Sequence, residues 1–375
     1  MRMRRCLSQV KRQEGATLAV VALSMTLILG MAALTVDFGS SFAKRRSIVN
    51  ANDSAALGFA IWCATGKGDL TQDATADNTA TANTSDAVRK TGSSSTWPVT
   101  GKCVPGAADN HGSVSVSYQG AAQQFFRPVL GGSSSQTVVG QAKAAWGAAG
   151  GAGGVLPAAL SMGKLSTCKI PGTGKGTECW FYVDNSALGN ATWALMNVQP
   201  SCTDTKYGWN VRRAACQSKV GLPDPTYKCP SFSAQDIRDI IQNGSPALTV
   251  NYPNPTYVCT VPGAKTTDYA NIKALEGKTR LFPVNDQSKQ IKSGGIPCLW
   301  PACVPDFYDI VGFIEMQIMN VWKGTDPGWD VVHCPGVKGN NAWCLHGIWV
   351  SFTTEPGPIC DSCENFGVEA VELRG

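Results

Sequence analysis

Charge is scarce in this chain. Of its 375 residues only 16% are Asp, Glu, Lys or Arg, against roughly a quarter in ordinary soluble domains, while 43% are hydrophobic, so an unfolded polyelectrolyte is excluded. Histidine is rarer still, with three in the whole sequence. Neither Gly-x-Ser-x-Gly nor His-Glu-x-x-His occurs, so the nucleophile elbow of serine hydrolases and the zinc-binding helix of metalloproteases are both missing. Gly277-Lys278-Thr279 ends like a phosphate-binding loop, but Ile272 stands where that motif needs its first Gly, and a turn entering a strand is expected there. The chain is therefore read as a non-enzyme, with no catalytic residue, cofactor or metal assigned.

The net charge of +5 is confined to one end. Arg2, Arg4, Arg5, Lys11, Arg12, Lys44, Arg45 and Arg46 oppose only Glu14 and Asp37 in residues 1–46, and the rest of the chain is nearly neutral. A basic face for nucleic acid is excluded by that distribution. Between the basic clusters runs Ala16 to Val36, without a charge. As a helix rising 1.5 Å per residue it would span about 30 Å, the thickness of a bilayer's hydrocarbon core. A cleaved signal peptide fits less well, because its apolar region usually has about 7 to 15 residues and ends at a small-residue cleavage site. The basic residues before the span predict a cytoplasmic N-terminus and an extracytoplasmic C-terminal part.

Cysteine divides the same way. Cys6 precedes the span, and Cys63, Cys103, Cys168, Cys179, Cys202, Cys216, Cys229, Cys259, Cys298, Cys303, Cys334, Cys344, Cys360 and Cys363 follow it. An even number on one side suits disulfides in an oxidising compartment. Cys360-Asp361-Ser362-Cys363 has the spacing of redox and half-zinc motifs, with His333 and His346 the only nearby histidine candidates. Structural disulfides are expected instead, since no thioredoxin-like setting surrounds the pair.

Past the span, Phe38, Phe42, Val49, Ala56 and Ala60 recur at steps of four and seven, which predicts one face of a helix continuing to about Trp62. Glu14-Gly15 before the span, Val36-Asp37-Phe38-Gly39 at its end, the basic Lys44-Arg45-Arg46, and Asn50-Ala51-Asn52-Asp53-Ser54-Ala55-Ala56-Leu57 follow in order. This combination resembles the N-terminal module of the TadE/TadG-like Flp pilus-assembly proteins, over residues 15–61. The residues that carry the resemblance are Gly15, Val36, Asp37, Gly39, Arg45, Asn50, Asp53, Ala55, Ala56 and Leu57. It implies a single-pass protein that assembles or anchors a Flp (tight adherence) pilus by contacting pseudopilins, an assembly platform, or the cell wall. Two family features are missing: Val20 stands where processed pseudopilins carry Glu, and Leu188 and Gln290 replace the last serine of the metal motifs begun at Asp184 and Asp286.

The fold class expected is α+β. A basic lead at 1–15 and the transmembrane helix at 16–36 precede a helical stalk at 37–65. A small α+β region at 66–146 and a flexible Gly/Ala linker at 147–154 then lead to a disulfide-rich distal ectodomain at 155–375. In the proximal region strands are expected at Val114–Tyr118 and Thr137–Trp146, with a short helix over Gln123–Leu130 stopped by Gly131. Residues 66–101 read as a weak helix or a solvated loop. In the distal region a helix is expected at Ser233–Asn243, and strands at Thr279–Val284, Tyr308–Val321, Gly347–Thr353 and Val368–Leu373.

Two surfaces remain. Ala22, Thr26 and Gly30, at steps of four, would let another membrane helix approach closely. Trp300, Trp322, Trp329, Trp343 and Trp349 are read mainly as core fillers. Were they exposed, the chain would instead be a stand-alone adhesin or glycan-binding protein.

Overall fold

The computed structural model describes residues 3–66, 71–90, 96–104, 107, 109–168, 178–183, 193–195, 234–243, 245, 248–250, 257–259, 266–292, 296–297, 307–329, 332–334, 342–350, 353–355, 358–360, 363 and 365–374. The first half begins with α1 (Met3–Thr65) and α2 (Gln72–Asn83), then β1 (Val88–Arg89), β2 (Val99–Gly101), β3 (Gly112–Val116) and β4 (Tyr118–Gln123). A 3-10 turn (Arg127–Leu130) leads to β5 (Ser135–Val139), β6 (Ala142–Ala148), β7 (Gly151–Ala152) and β8 (Ala158–Ser161). Next come α3 (Met162–Thr167), β9 (Glu178–Val183), β10 (Trp193–Leu195), α4 (Ala234–Asn243), β11 (Leu248–Thr249), β12 (Tyr257–Cys259) and α5 (Thr266–Lys273). The chain ends with β13 (Thr279–Lys292), β14 (Ile296–Pro297), β15 (Phe307–Lys323), β16 (Trp343–Trp349), β17 (Thr353–Glu355) and β18 (Val368–Leu373). Helix and sheet are thus mixed, as expected.

The contacts divide the chain into two compact units: residues 1–56, 73–97 and 115–143, and residues 57–72, 98–114 and 144–375. In the first unit α1 carries the apolar run, long and apolar enough to cross a membrane and wholly unburied. Leu18, Leu23, Leu27 and Leu34 are each at least 60% exposed, an uncovered apolar surface of the kind that marks contact with a membrane or a partner. Further along, the helix buries a stripe of small side chains, Ala51, Ala55 and Ala56, with Ile48 and Asn52. Of the face expected from periodicity, Ala56 and Ala60 are buried, whereas Phe38, Phe42 and Val49 are exposed. The sheet of this unit has the order β1-β4-β5 and is antiparallel throughout. Segment 66–101, open between helix and loop, holds α2, whose Ala76 and Ala80 are buried.

In the second unit the largest sheet has the order β10-β8-β13-β15-β16-β9, with β12 and β14 attached to β15 and β13. The two long strands pair antiparallel from Thr279↔Gln317 to Ile291↔Phe307, with bulges after Val284 and Asp286. Phe282, Ile314, Met316, Trp343 and Leu345 form the core on one side of this sheet with Leu160 and Phe181. The strand expected at Gly347–Thr353 begins earlier, at Trp343, and ends at Trp349. Ile240 and Ile241 of α4 are buried as the helical spacing requires.

Two expectations are corrected. The Gly/Ala run at 147–154 is not a flexible joint: β6 extends to Ala148, β7 follows, and residues 147–152 are buried. Glycine serves here for close approach, since a Cβ on Gly150 would lie 2.9 Å from the Pro358 carbonyl and one on Gly147 2.8 Å from Ile359. The single strand expected over Thr137–Trp146 is two strands, β5 and β6, separated at Gly140 and Gln141.

Candidate functional site

The densest cluster of functional candidates lies in the first unit, where the motif residues of α1 meet the β4–β5 hairpin. β4 descends alongside the helix. The Tyr118 N–H donates to Asn52 Oδ1 at 2.8 Å, Gly120 lies against Ile48 and Lys44, and the Ser40 hydroxyl donates to the Gln123 carbonyl at 2.6 Å. At the hairpin tip the carboxylate of Asp37 receives the N–H groups of Phe125 (2.7 Å), Phe126 (3.2 Å) and Arg127 (2.9 Å). Those are the free donors at the start of the 3-10 turn, so Asp37 caps it from another element. Gly131, at φ 80°, closes the turn and bonds back to Pro128. Partial desolvation pushes the Asp37 carboxyl up, but the three amides and the Arg127 charge outweigh it and hold the group below its ordinary value.

Asp37→Ala should therefore free the tip without unfolding the unit. We expect amide hydrogen exchange at Phe125, Phe126 and Arg127 to accelerate severalfold, as loss of a helix-terminus cap implies. Asp37→Asn, which retains one acceptor oxygen, should fall between. Unchanged exchange in Asp37→Ala would show that the cap contributes nothing.

The remaining motif residues are placed as follows. Ala55 and Ala56 are buried, Asp53 and Leu57 are half-buried, and Val36, Arg45 and Asn50 are exposed. A Cβ on Gly39 would meet nothing within 4 Å, so packing does not explain glycine there. Gly15 lies within α1. Asn52, between the motif positions, carries no sequence signal of its own, yet its side chain is fully buried and doubly bonded, donating to the Ile48 carbonyl at 2.7 Å. Lys44 pairs with Asp86, whose carboxyl that bond holds below its usual range. Ala22, Thr26 and Gly30 all lie on exposed helix surface, and the Thr26 hydroxyl bonds back to the Ala22 carbonyl.

Next to the cap lies an open groove of about 740 Å³, lined on α1 from Gly30 to Arg45 and on the hairpin by Phe126, Val129 and Val138 among others. Its lining is mostly apolar. A second polar node in this unit joins Asp77 to Arg89 (2.7 Å) and to the Tyr118 hydroxyl (2.7 Å), with the Arg89 guanidinium 4.6 Å from the Trp97 ring centre. Burial and the neighbouring Asp77 charge push the Tyr118 hydroxyl up.

Among the described residues of the second unit, the disulfides Cys63–Cys103, Cys334–Cys344 and Cys360–Cys363 are formed. The Cys-x-x-Cys is thus a closed bridge. Cys168 and Cys179 are buried in the main core, and Cys259 lies in β12. Cys202, Cys216, Cys229, Cys298 and Cys303 lie outside the described residues. Trp329, Trp343 and Trp349 are buried, while Trp322 is half-buried and stacks on Trp180 at 5.5 Å; Trp300 is outside the described residues. His333 and His346 both stack on Trp180, at 4.5 and 3.9 Å. Among the described residues no three His, Cys, Asp or Glu side chains lie close enough together to hold a metal ion. Gly277, at φ 79°, turns the chain into β13 as its sequence context predicts.

One buried carboxyl carries no sequence signal. Glu369 in β18 is fully buried and receives Asn365 Nδ2 at 2.7 Å and Asn110 Nδ2 at 3.0 Å. Asn110 also donates to the Cys63 carbonyl, so this node adjoins the first disulfide. Compared with protein-family models, with curated proteins and with solved structures, the chain has no match.

Proposed function

We propose that the chain is a single-pass extracytoplasmic protein of Flp (tight adherence) pilus assembly or anchoring, which acts by protein–protein contact from a membrane-fixed position. The observation that carries this reading is the part played by the motif that resembles the TadE/TadG-like module. Asp37 caps the hairpin tip, and Ala51, Ala55 and Ala56 are buried on the same helix. The exposed apolar helix and the disulfides support membrane attachment with the C-terminal part in an oxidising compartment. The excess of Arg and Lys before the span supports a cytoplasmic N-terminus. Pseudopilins, an assembly platform or the cell wall are the partners this reading implies.

Deletion of the coding sequence in its native host should abolish surface pili in electron micrographs, and plasmid-borne wild-type protein should restore them. Normal pilus number in the deletion strain would overturn the proposal. The burial of Trp329, Trp343 and Trp349 leaves a glycan-stacking surface with less support.

A further inference from the structure

The β4–β5 hairpin ends at a defined height on α1, and that height is the end of the apolar span. From Tyr118 beside Asn52 to Phe125 beside Asp37, the strand covers seven residues while the helix covers fifteen. At about 3.3 Å per strand residue and about 1.5 Å per helix residue both lengths come to roughly 23 Å. Strand and helix therefore run side by side, and the tip sits level with Asp37, one residue past the uncharged stretch. Val129 reaches further, lining one groove with Gly30, Ala33 and Leu34, which lie inside that stretch.

The tip's outer surface is apolar. Phe125 is 63% exposed, Phe126 42% and Val129 80%. Three such side chains on consecutive turns are out of place in water. Its backbone, by contrast, makes little demand on solvent. The N–H groups of residues 125–127 go to Asp37, Val129 donates to the Phe126 carbonyl, Gly131 to Pro128 and Gly132 to Arg127, and Pro128 has no N–H to satisfy. Internal satisfaction of backbone donors is what a segment entering the edge of a bilayer requires. Exposed Arg127 beside the apolar residues, and Arg45 at the other end of the groove, are suited to phosphate groups at the headgroup level.

We propose that the β4–β5 tip is a second membrane-contact element, in which Phe125, Phe126 and Val129 embed among phospholipid acyl chains beside α1. The inference rests on the reading of α1 as a membrane anchor. Continuity with the span selects lipid as the occupant, because the lower part of the groove is open along the very residues that would face acyl chains. A second copy of the chain laid against the groove is the competing occupant.

The test uses the full chain in nanodiscs of phosphatidylcholine and phosphatidylglycerol, with a photoreactive residue at Val129→p-benzoylphenylalanine. Val88→p-benzoylphenylalanine is the control, because Val88 is 55% exposed yet pairs with Gln119, at the Asn52 end of the hairpin. After irradiation the intact mass should rise by one phospholipid at position 129, at least tenfold more often than at position 88. Equal lipid adducts at the two positions, none at position 129, or protein–protein crosslinks from it would each overturn the inference. If the chain does not stay with the nanodisc at all, the anchor reading falls too. Retention without lipid adducts sinks only the hairpin contact.

Discussion

Glu369→Gln is expected to raise stability at alkaline pH and to flatten the dependence of unfolding on pH between about 5 and 8. Burial is the main cause: Glu369 is fully enclosed, and the groups that reach it are the amides of Asn110 and Asn365 rather than a cation. Desolvation pushes its carboxyl up to about 8 from an ordinary 4.5, against a smaller opposing effect of the two amides. Folded Glu369 keeps its proton through a range in which the unfolded chain has lost it. Its contribution is therefore whole below pH 4.5 and declines as pH rises, until it is gone above about 8. Each pH unit of that interval is worth about 1.36 kcal/mol, so the total is on the order of 5 kcal/mol. Asp86 and Asp326, held below their ordinary values, lose stability only as pH falls toward and below the usual carboxylate range and do not compete in this window. Thermal unfolding of the two proteins from pH 5 to pH 9 is the measurement. Parallel curves would mean that Glu369 ionises in the folded state at little cost.

What the sequence made legible depended on distance along the chain. β18 was readable because a short run rich in Val and Leu needs no distant partner to announce a strand, and the ends of α4 and β15, which rest on local period, fell within two residues of expectation. Cys63 and Cys103, the two outer cysteines before residue 168, are bonded to each other, a pairing that cysteine count alone does not fix. The Glu369 node could not be read: Asn110 and Glu369 are 259 positions apart, and neither stands in a pattern that announces a partner. The Gly/Ala run at 147–154 misled for a physical reason. Glycine is favoured both where a backbone must be free and where two backbones must be close, and composition alone does not separate these. Phe38 and Phe42 misled likewise, since helical period identifies a face but not what covers it. At the candidate site, Asp37 was found by resemblance to a family, whereas its role as a cap depends on a hairpin 88 residues away.

Asn52→Ala should cost about 2 to 3 kcal/mol, although it removes no charge and only a few atoms. The side chain is fully buried and works in two directions, since Nδ2 donates to Ile48 in its own helix and Oδ1 accepts the N–H of Tyr118 in β4. Alanine leaves the Tyr118 N–H without its acceptor at a residue that is only 1% exposed. An orphaned buried donor costs roughly 1 to 3 kcal/mol, and the void left by the amide adds to that. Gly140 supplies the check. A Cβ there would lie 2.5 Å from Asn52 Nδ2, so Gly140→Ala alone should cost roughly 1 to 3 kcal/mol through overpacking. In the Asn52→Ala background the amide is gone, and the added methyl can occupy part of the space it vacates. The double variant should then be more stable than the sum of the single costs requires, by at least about 1 kcal/mol, as expected for residues in contact. The coupling should be partial, because Ile48 Cγ2 lies 3.0 Å from the same Cβ and stays in place. Denaturant unfolding of the four proteins gives the coupling directly. Strict additivity would mean that Asn52 and Gly140 do not share one packed site, and that β4 is held to α1 by something other than this amide.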